Sequence, residues 1–385
     1  MSINSVDKFL ISSLTVKKAI KFLKTKDQQE VNRWRSSAQA ISKAIYNNRI
    51  TFTTNIFLPI TFLCRNSCDY CGFRKSSVPR GKEYLDPSKA KQLINKAKRI
   101  GISEVLLTTG EKPEIDNPNA RKWLNKKGFG STTDYIHYIA KMALDNGLLP
   151  HINAGSLGTE DFAFLRDVSA SMGLMLEIAS SRMMQKGMPH ARSPDKHPTR
   201  RVLSLKTAGM LKIPFTSGLL IGIGETPKEI VTSLFILKNL AKKYHHLQEV
   251  IIQNFQPQKN SKMKDKSPIS LQWLEKIVLL ARHILPLEVS LQVPPNLISR
   301  HEANFIKSGI SDWGGISPLT RDYINPNYEW PQISWLNKIS RANGFKLTER
   351  LPVYPSFIKE EWVSQRVFEL IIKENLVTED GYRKR

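Results

Sequence analysis

From Thr51 onward, short apolar or β-branched runs alternate with helical segments about eight times. The runs are TFTTNIFLPIT, SEVLLTTG, LLPHINAG, GLMLEIA, IPFTSGLLIGIGE, EVIIQNFQP, LEVSLQV and DWGGISP. Segments such as DPSKAKQLINKAKRIG and TPKEIVTSLFILKNLAKKY lie between them, with apolar residues at helical spacing. Such alternation builds parallel βαβ units. A parallel sheet is buried on both faces, which accounts for strands this apolar. Eight units predict an α/β fold, a closed eight-stranded TIM-like (β/α) barrel, and 385 residues suffice for one barrel with extensions. Residues 1–50, with Val16, Ile20, Phe22 and Leu23 at helical spacing, predict a helical N-terminal extension. The barrel is expected over 51–350. Residues 351–385 are expected to form a C-terminal helix and charged tail, covering one barrel end or serving association.

In such a barrel the chemistry gathers where strands end. That rule brings residues far apart in sequence to one mouth. Cys64 to Cys71 follow the first strand, Gly110 and Glu111 the second, and His151 and Asn153 the third. Glu177 follows the fourth, Gly222 to Glu225 the fifth, and Gln253 and Asn254 the sixth.

All three cysteines of the chain fall within CRNSCDYCGF, as Cys64, Cys68 and Cys71. Three is too few, and odd, for a disulfide framework, so metal or redox chemistry is favoured. Zinc sites usually draw four protein ligands, and no second pair exists here. An iron-sulfur cube held by three thiolates leaves one iron open to a substrate or cofactor. Burial as small apolar side chains does not explain why cysteines cluster in a loop with Arg65, Asn66 and Asp69.

Lys and Arg number 58 against 34 Asp and Glu, a net +24. The excess is scattered, as in KKAIKFLKTK, RKWLNKK, KNSKMKDK and the terminal RKR. No RNA-binding aromatic signature, zinc finger or basic heptad accompanies it. A basic solvated surface or a site for anionic groups is therefore favoured over a nucleic-acid face. No apolar run approaches the roughly 20 residues that span a bilayer. The first residues carry an acid early and lack a secretory leader's apolar stretch, so a cytoplasmic protein is expected.

The spacing Cys64-x3-Cys68-x2-Cys71, with Tyr70 before the last cysteine, resembles that of the radical S-adenosylmethionine (SAM) enzymes. The resemblance implies a 4Fe-4S cluster on these cysteines, with the fourth iron open to SAM, and Tyr70 beside the adenine. Gly110-Glu111 resembles the family's turn that holds the SAM amino group. Gly218 to Glu225, GLLIGIGE, resembles its G-x-I-x-G-x-x-E stretch, with Leu220 in the Ile place and Gly222 and Glu225 matching. Glu177 matches a carboxylate on the ribose hydroxyls, and Arg182 is a candidate partner for the SAM carboxylate. Each also has a plainer reading: GIGE as a tight βα connection, Arg182 as a helix cap.

NIFLPITFLCRNSCDYCGF, TTGEKPE, LPHINAG, GLMLEIASSR, IPFTSGLLIGIGET, QEVIIQNFQP, PPNL and DWGGISPLTRDYINP together resemble the 7,8-didemethyl-8-hydroxy-5-deazariboflavin (FO) synthases of coenzyme F420 biosynthesis, from about Thr51 to Arg350. The resemblance implies a carbon-nitrogen lyase that closes the deazaflavin ring with loss of ammonia. Its substrate is the adduct that a tyrosine-condensing partner enzyme makes from tyrosine and 5-amino-6-ribitylaminouracil. A reductant such as flavodoxin or ferredoxin, and a complex with the partner subunit, are implied as partners. His151, Asn153, His190, Gln253 and Asn254 are candidates for substrate contacts, although a lone His or Asn at a strand end is as often structural. Ile152, Ala154 and Ile178 depart from the family pattern by lacking expected hydroxyl or proline positions. Rival readings are the tyrosine-condensing subunit, another barrel radical SAM cyclase, or a basic metal-binding protein whose nucleic-acid binding weakens steeply with salt.

Overall fold

The computed structural model describes residues 14–384. The first thirteen residues of the expected N-terminal extension, and the last Arg of the basic tail, lie outside the described residues. Eight strands close a parallel barrel: β1 (Arg49–Thr61), β2 (Glu104–Thr109), β3 (Leu149–Asn153), β4 (Ser171–Gly173), β5 (Phe215–Ile221), β6 (Leu247–Asn254), β7 (Ser290–Gln292) and β8 (Asp312–Ile316). Each pairs with its sequence neighbour, and β1 pairs with both β2 and β8. A ninth strand, β9 (Lys346–Glu349), pairs in parallel with Arg49 to Phe52 at the foot of β1.

Alternation along β1 shows what each face does. Ile50, Phe52, Ile56, Leu58 and Ile60 are buried in the core, whereas Thr53, Asn55 and Phe57 line an interior cavity. The β1–β2 register shifts between Pro59 and Thr61, where proline has no N–H to give the ladder.

The helices outside are α1 (Val16–Lys24), α2 (Gln28–Ile45), α3 (Pro87–Arg99), α4 (Pro118–Lys126), α5 (Thr132–Asp145), α6 (Thr159–Arg166), α7 (Pro198–Met210), α8 (Pro227–Tyr244), α9 (Leu271–Ile284), α10 (Glu302–Lys307), α11 (Ile333–Ala342) and α12 (Gln365–Lys373). Several start as their sequences direct. Asp86 caps α3 ahead of Pro87, and Thr226 with Glu229 forms a capping box on α8 ahead of Pro227. No helix among the described residues is long and apolar enough to cross a membrane.

The N-terminal helices lie on the barrel's outer layer: α1 against α8 and α9, α2 against α9 and α10. Trp34 stacks on Phe22 with ring centroids 3.9 Å apart, and Arg35 Nε stands 2.9 Å from Glu275 Oε1. At the other end, the chain leaving β9 crosses the amino-terminal opening of the barrel. Arg350 Nε donates to Asp312 Oδ2 at 2.6 Å, Pro352 O accepts from Ser171 Oγ at 2.7 Å, and the Tyr354 hydroxyl donates to Glu249 Oε1 at 3.0 Å. The expected boundary at 50/51 falls inside β1, and the one at 350/351 falls inside this closing segment.

Candidate active site

One cavity of about 400 Å³ runs from the cysteine loop down to this closing segment. Cys64, Cys68 and Cys71 all line it, as free, half-buried thiols. Their loop is fixed to its neighbours by backbone hydrogen bonds. Arg65 N–H donates to Glu111 O, Asp69 N–H to Pro189 O, and Lys75 N–H to Phe62 O. Backbone N–H groups also point at sulfur: those of Asn66 and Glu111 lie 3.4 and 3.2 Å from Cys64 Sγ, and that of Arg74 lies 3.4 Å from Cys71 Sγ.

Burial pushes the Cys64 thiol up to about 11, and burial followed by the neighbouring Cys68 pushes the Cys71 thiol up. The loop thus presents three thiols to one cavity, with backbone N–H donors standing ready for anionic sulfur at Cys64 and Cys71. The donor set therefore fits a thiolate-held iron-sulfur cluster.

Gly110 lets the β2 turn meet the cysteine loop, since a Cβ there would lie 1.8 Å from Leu63 O and 2.8 Å from Cys64 Cβ. Glu111 then lies buried beneath. Its Oε2 accepts from Asn66 Nδ2 at 2.9 Å and its Oε1 from Ser156 N–H at 2.6 Å. Asn66 Oδ1 accepts from Asp195 N–H at 3.1 Å, so one amide ties three loops together. Burial raises the Glu111 carboxyl above its usual range, opposed chiefly by Arg201, whose guanidinium is 3.8 Å away.

Glu177 carries a left-handed backbone, φ 62°, which costs a non-glycine residue about 1 kcal/mol. The surroundings hold it there: its N–H donates to Gly218 O, and its Oε1 accepts from Lys196 Nζ at 2.6 Å. Burial would raise this carboxyl, but Lys196 and Arg201 outweigh burial and hold it below its usual range. The Tyr70 hydroxyl meets His190 Nε2 at 3.0 Å, and Lys196 Nζ lies over the Tyr70 ring at 5.9 Å. Burial and then Lys196 push His190 down to about 3, which keeps its imidazole neutral.

Of the residues singled out from sequence, the cavity is lined by Cys64, Cys68, Cys71, Tyr70, Gly110, Glu111, Glu177, His151, Asn153 and Gln253. His190 reaches it only through Tyr70. Four others stand off this lining. Arg182 is turned aside: it makes a salt bridge with Glu229 Oε2 at 2.7 Å and donates to Gly224 O at 2.7 Å, so its fork is already filled. The Glu225 carboxylate folds back onto its own turn, accepting from the N–H groups of Gly222, Ile223 and Gly224. Gly222 and Glu225 are accordingly parts of a closed turn outside the cavity lining. Asn254 faces away and donates to Leu297 O at 3.1 Å, because neighbours on a strand point to opposite faces and Gln253 takes the inward one. The same rule disposes of Ile152 and Ala154, which flank the inward Asn153 and are buried outward in the core.

Sequence reading missed Asn66, Lys196 and Arg201 at the mouth, and Asn55, Glu104, Glu249 and Gln292 below. Asn55 had a signal: a polar residue at every second place of TFTTN, unexpected in a strand buried on both faces. Lys196 and Arg201 had none, since they lie beyond strand four in a segment read only as connection.

A closed (β/α) barrel with three thiols in one loop at its mouth is the architecture of the radical SAM enzymes. The profile described as Radical SAM superfamily matches residues 58–236. Solved structures similar in fold include the FeFe-hydrogenase maturase HydG from Carboxydothermus hydrogenoformans, with TM-score 0.73 and 18% identity over 91% of this chain and 80% of that one. Methylornithine synthase follows, with TM-score 0.67 and 18% identity over 89% and 97%.

By sequence, the chain belongs to the 7,8-didemethyl-8-hydroxy-5-deazariboflavin synthase family. It is 42% identical to the synthase of Methanocaldococcus jannaschii, over 92% of this chain and 97% of that protein. It is 44% identical to that of Methanothermobacter thermautotrophicus, over 84% and 97%. The match to the FO synthase of Streptomyces coelicolor, 43% identical, covers 83% of this chain but 38% of that longer protein.

Proposed function

We propose that the protein is the ring-closing enzyme of deazaflavin formation, a carbon-nitrogen lyase that converts the hydroxybenzyl adduct of 5-amino-6-ribitylaminouracil to the deazaflavin with release of ammonia. The observation that carries this reading is the convergence of Cys64, Cys68 and Cys71 on the same cavity as Glu111, Glu177, Lys196 and Arg201. Cys64, Cys68 and Cys71 would hold an iron-sulfur cluster, which with SAM would supply radical chemistry for hydrogen abstraction.

The chain's own residues bind and orient around that group. Glu111 and Asn66 offer acceptors for an ammonium group, Lys196 and Arg201 offer positive charge for a carboxylate, and Glu177 offers an acceptor for hydroxyls. Tyr70 gives an aromatic wall beside them. Below, Phe57, Leu106, Met175 and Ile251 line the cavity and exclude water from the place where the substrate rings would stand. Neutral His151 faces the same space, positioned to exchange a proton as the amine leaves, and Asn153 beside it offers an amide to hydrogen-bond the substrate.

Reduction is assigned to a flavodoxin or ferredoxin. The test supplies purified adduct, SAM and reductant to the anaerobically reconstituted protein. Appearance of the fluorescent deazaflavin supports the reading; no deazaflavin from the adduct, with SAM-dependent formation of the adduct from tyrosine and the uracil, would assign the chain to the condensing step.

A further inference from the structure

Interiors of (β/α)8 barrels are normally filled by layers of branched aliphatic side chains. Here the lower layer is polar and faces open space. Asn55 on β1 pairs in register with Glu104 on β2, two residues before the apolar pair Phe57 and Leu106. Glu249 stands two residues before Ile251 on β6, and Gln292 ends β7. All four polar residues line the cavity that the thiols overlook.

One of these groups is incompletely satisfied, and a second is held in a tight seat. Asn55 is 2% exposed, yet its Oδ1 has no hydrogen-bond partner among the described residues, and its Nδ2 reaches Glu104 Oε1 only at 3.4 Å. The Gln292 amide is seated tightly against β8, since a Cβ on Gly314 would lie 2.1 Å from its Nε2. Buried polar groups of this kind ordinarily find partners, so a polar ligand is the natural completion.

Charge narrows the ligand. The floor guanidinium of Arg350 is already taken by Asp312 at 2.6 Å and Glu249 at 3.3 Å. Despite the chain's net +24, no unpaired positive charge among the described residues lines the floor to meet a phosphate or carboxylate. What remains is rich in acceptors and amides. A neutral chain of hydroxyls, each both donor and acceptor, matches that set, whereas a phenol ring or a carbonyl edge brings too few donors. Burial pushes the Glu104 carboxyl up to about 7, in keeping with a floor that avoids net charge.

We propose that Asn55, Glu104 and Gln292 form a polyol subsite at the closed end of the barrel, which seats the hydroxylated side arm of the substrate while its rings stand in the apolar belt nearer the thiols. The assignment rests on the deazaflavin-forming reading. It orients the substrate by its unreactive end, so the ring carbons are presented to the mouth.

The test titrates the reconstituted protein with two fluorescent deazaflavins, the ribityl-bearing product and a counterpart whose ribityl arm is replaced by methyl. The wild type is expected to bind the ribityl compound at least about tenfold tighter, because a site built for hydroxyls rejects a ligand lacking them. Asn55→Val and Gln292→Met should each remove most of that preference by weakening the ribityl compound alone. Equal wild-type affinity for both compounds, or variants that weaken both alike, would overturn the subsite while leaving the deazaflavin reading intact. Binding of neither compound, together with no deazaflavin formed from the adduct, would overturn both.

Discussion

Lys196 Nζ stands 2.6 Å from Glu177 Oε1, and both side chains face the cavity beside Tyr70. Their partnership holds a buried carboxylate ionised on a strained, left-handed residue. Lys196→Met should cost about 2–3 kcal/mol, less than the roughly 3–5 kcal/mol for a fully orphaned buried charge, because Arg201 remains nearby. The sign with pH follows from the lowered carboxyl. The pair's contribution is present above the ordinary carboxylate range and is lost as pH falls through the folded value. Urea unfolding of both proteins at pH 7 and near pH 4 should therefore show a gap that closes on the acid side; a gap independent of pH would contradict the pairing.

Gly110 is the point where the β2 turn passes under the cysteine loop, with no room for a Cβ beside Leu63 O. Gly110→Ala must push the two loops apart and displace Cys64 together with the Glu111 N–H that reaches its sulfur. Iron bound per chain after anaerobic reconstitution is expected to fall severalfold while far-ultraviolet dichroism stays near wild type. Full iron loading would show that the loop tolerates the shift.

Glu104 makes an opposite pH signature from Glu177. Its carboxyl is raised to about 7, with burial as the main cause, so the fold favours the protonated form. Its contribution is present below the ordinary carboxylate range and is lost as pH rises through 7. Glutamine does not titrate. The stability of Glu104→Gln relative to wild type should therefore rise from pH 5 to pH 8.5, by on the order of 1–3 kcal/mol. Histidines pushed down, His151 to about 4 and His190 to about 3, lower stability at acid pH in both proteins and cancel in the difference. A difference that stays flat or falls would mean that Glu104 is ionised in the fold at neutral pH.

The barrel was legible because parallel strands advertise themselves as apolar runs, and each of the eight quoted runs overlaps or adjoins a strand. In the fourth, the formal strand ends at Gly173 where the run begins. Isolated hydrogen bonds, Leu174 N–H to Thr216 O and Glu177 N–H to Gly218 O, carry the chain on to the mouth. The mouth was legible from the rule that loops follow strand ends, which located Cys64, Glu111 and Glu177. That rule has no knowledge of facing. It brought in Asn254, which alternation turns outward, and Arg182, which Glu229 intercepts. It also directed attention away from strand starts, where Glu104 and Glu249 stand. Their role depends on Arg350, about a hundred residues beyond Glu249 in sequence, and such a long-range pairing leaves no local pattern.

The central claim is that Cys64, Cys68 and Cys71 act together on one cofactor at the barrel mouth. Its most direct measurement is release of 5′-deoxyadenosine from SAM by the anaerobically reconstituted, reduced protein, beside Cys64→Ala, Cys68→Ala and Cys71→Ala prepared identically. The expected result is release by the wild type and none above background from any of the three variants. Wild-type release from even one of them would contradict the claim.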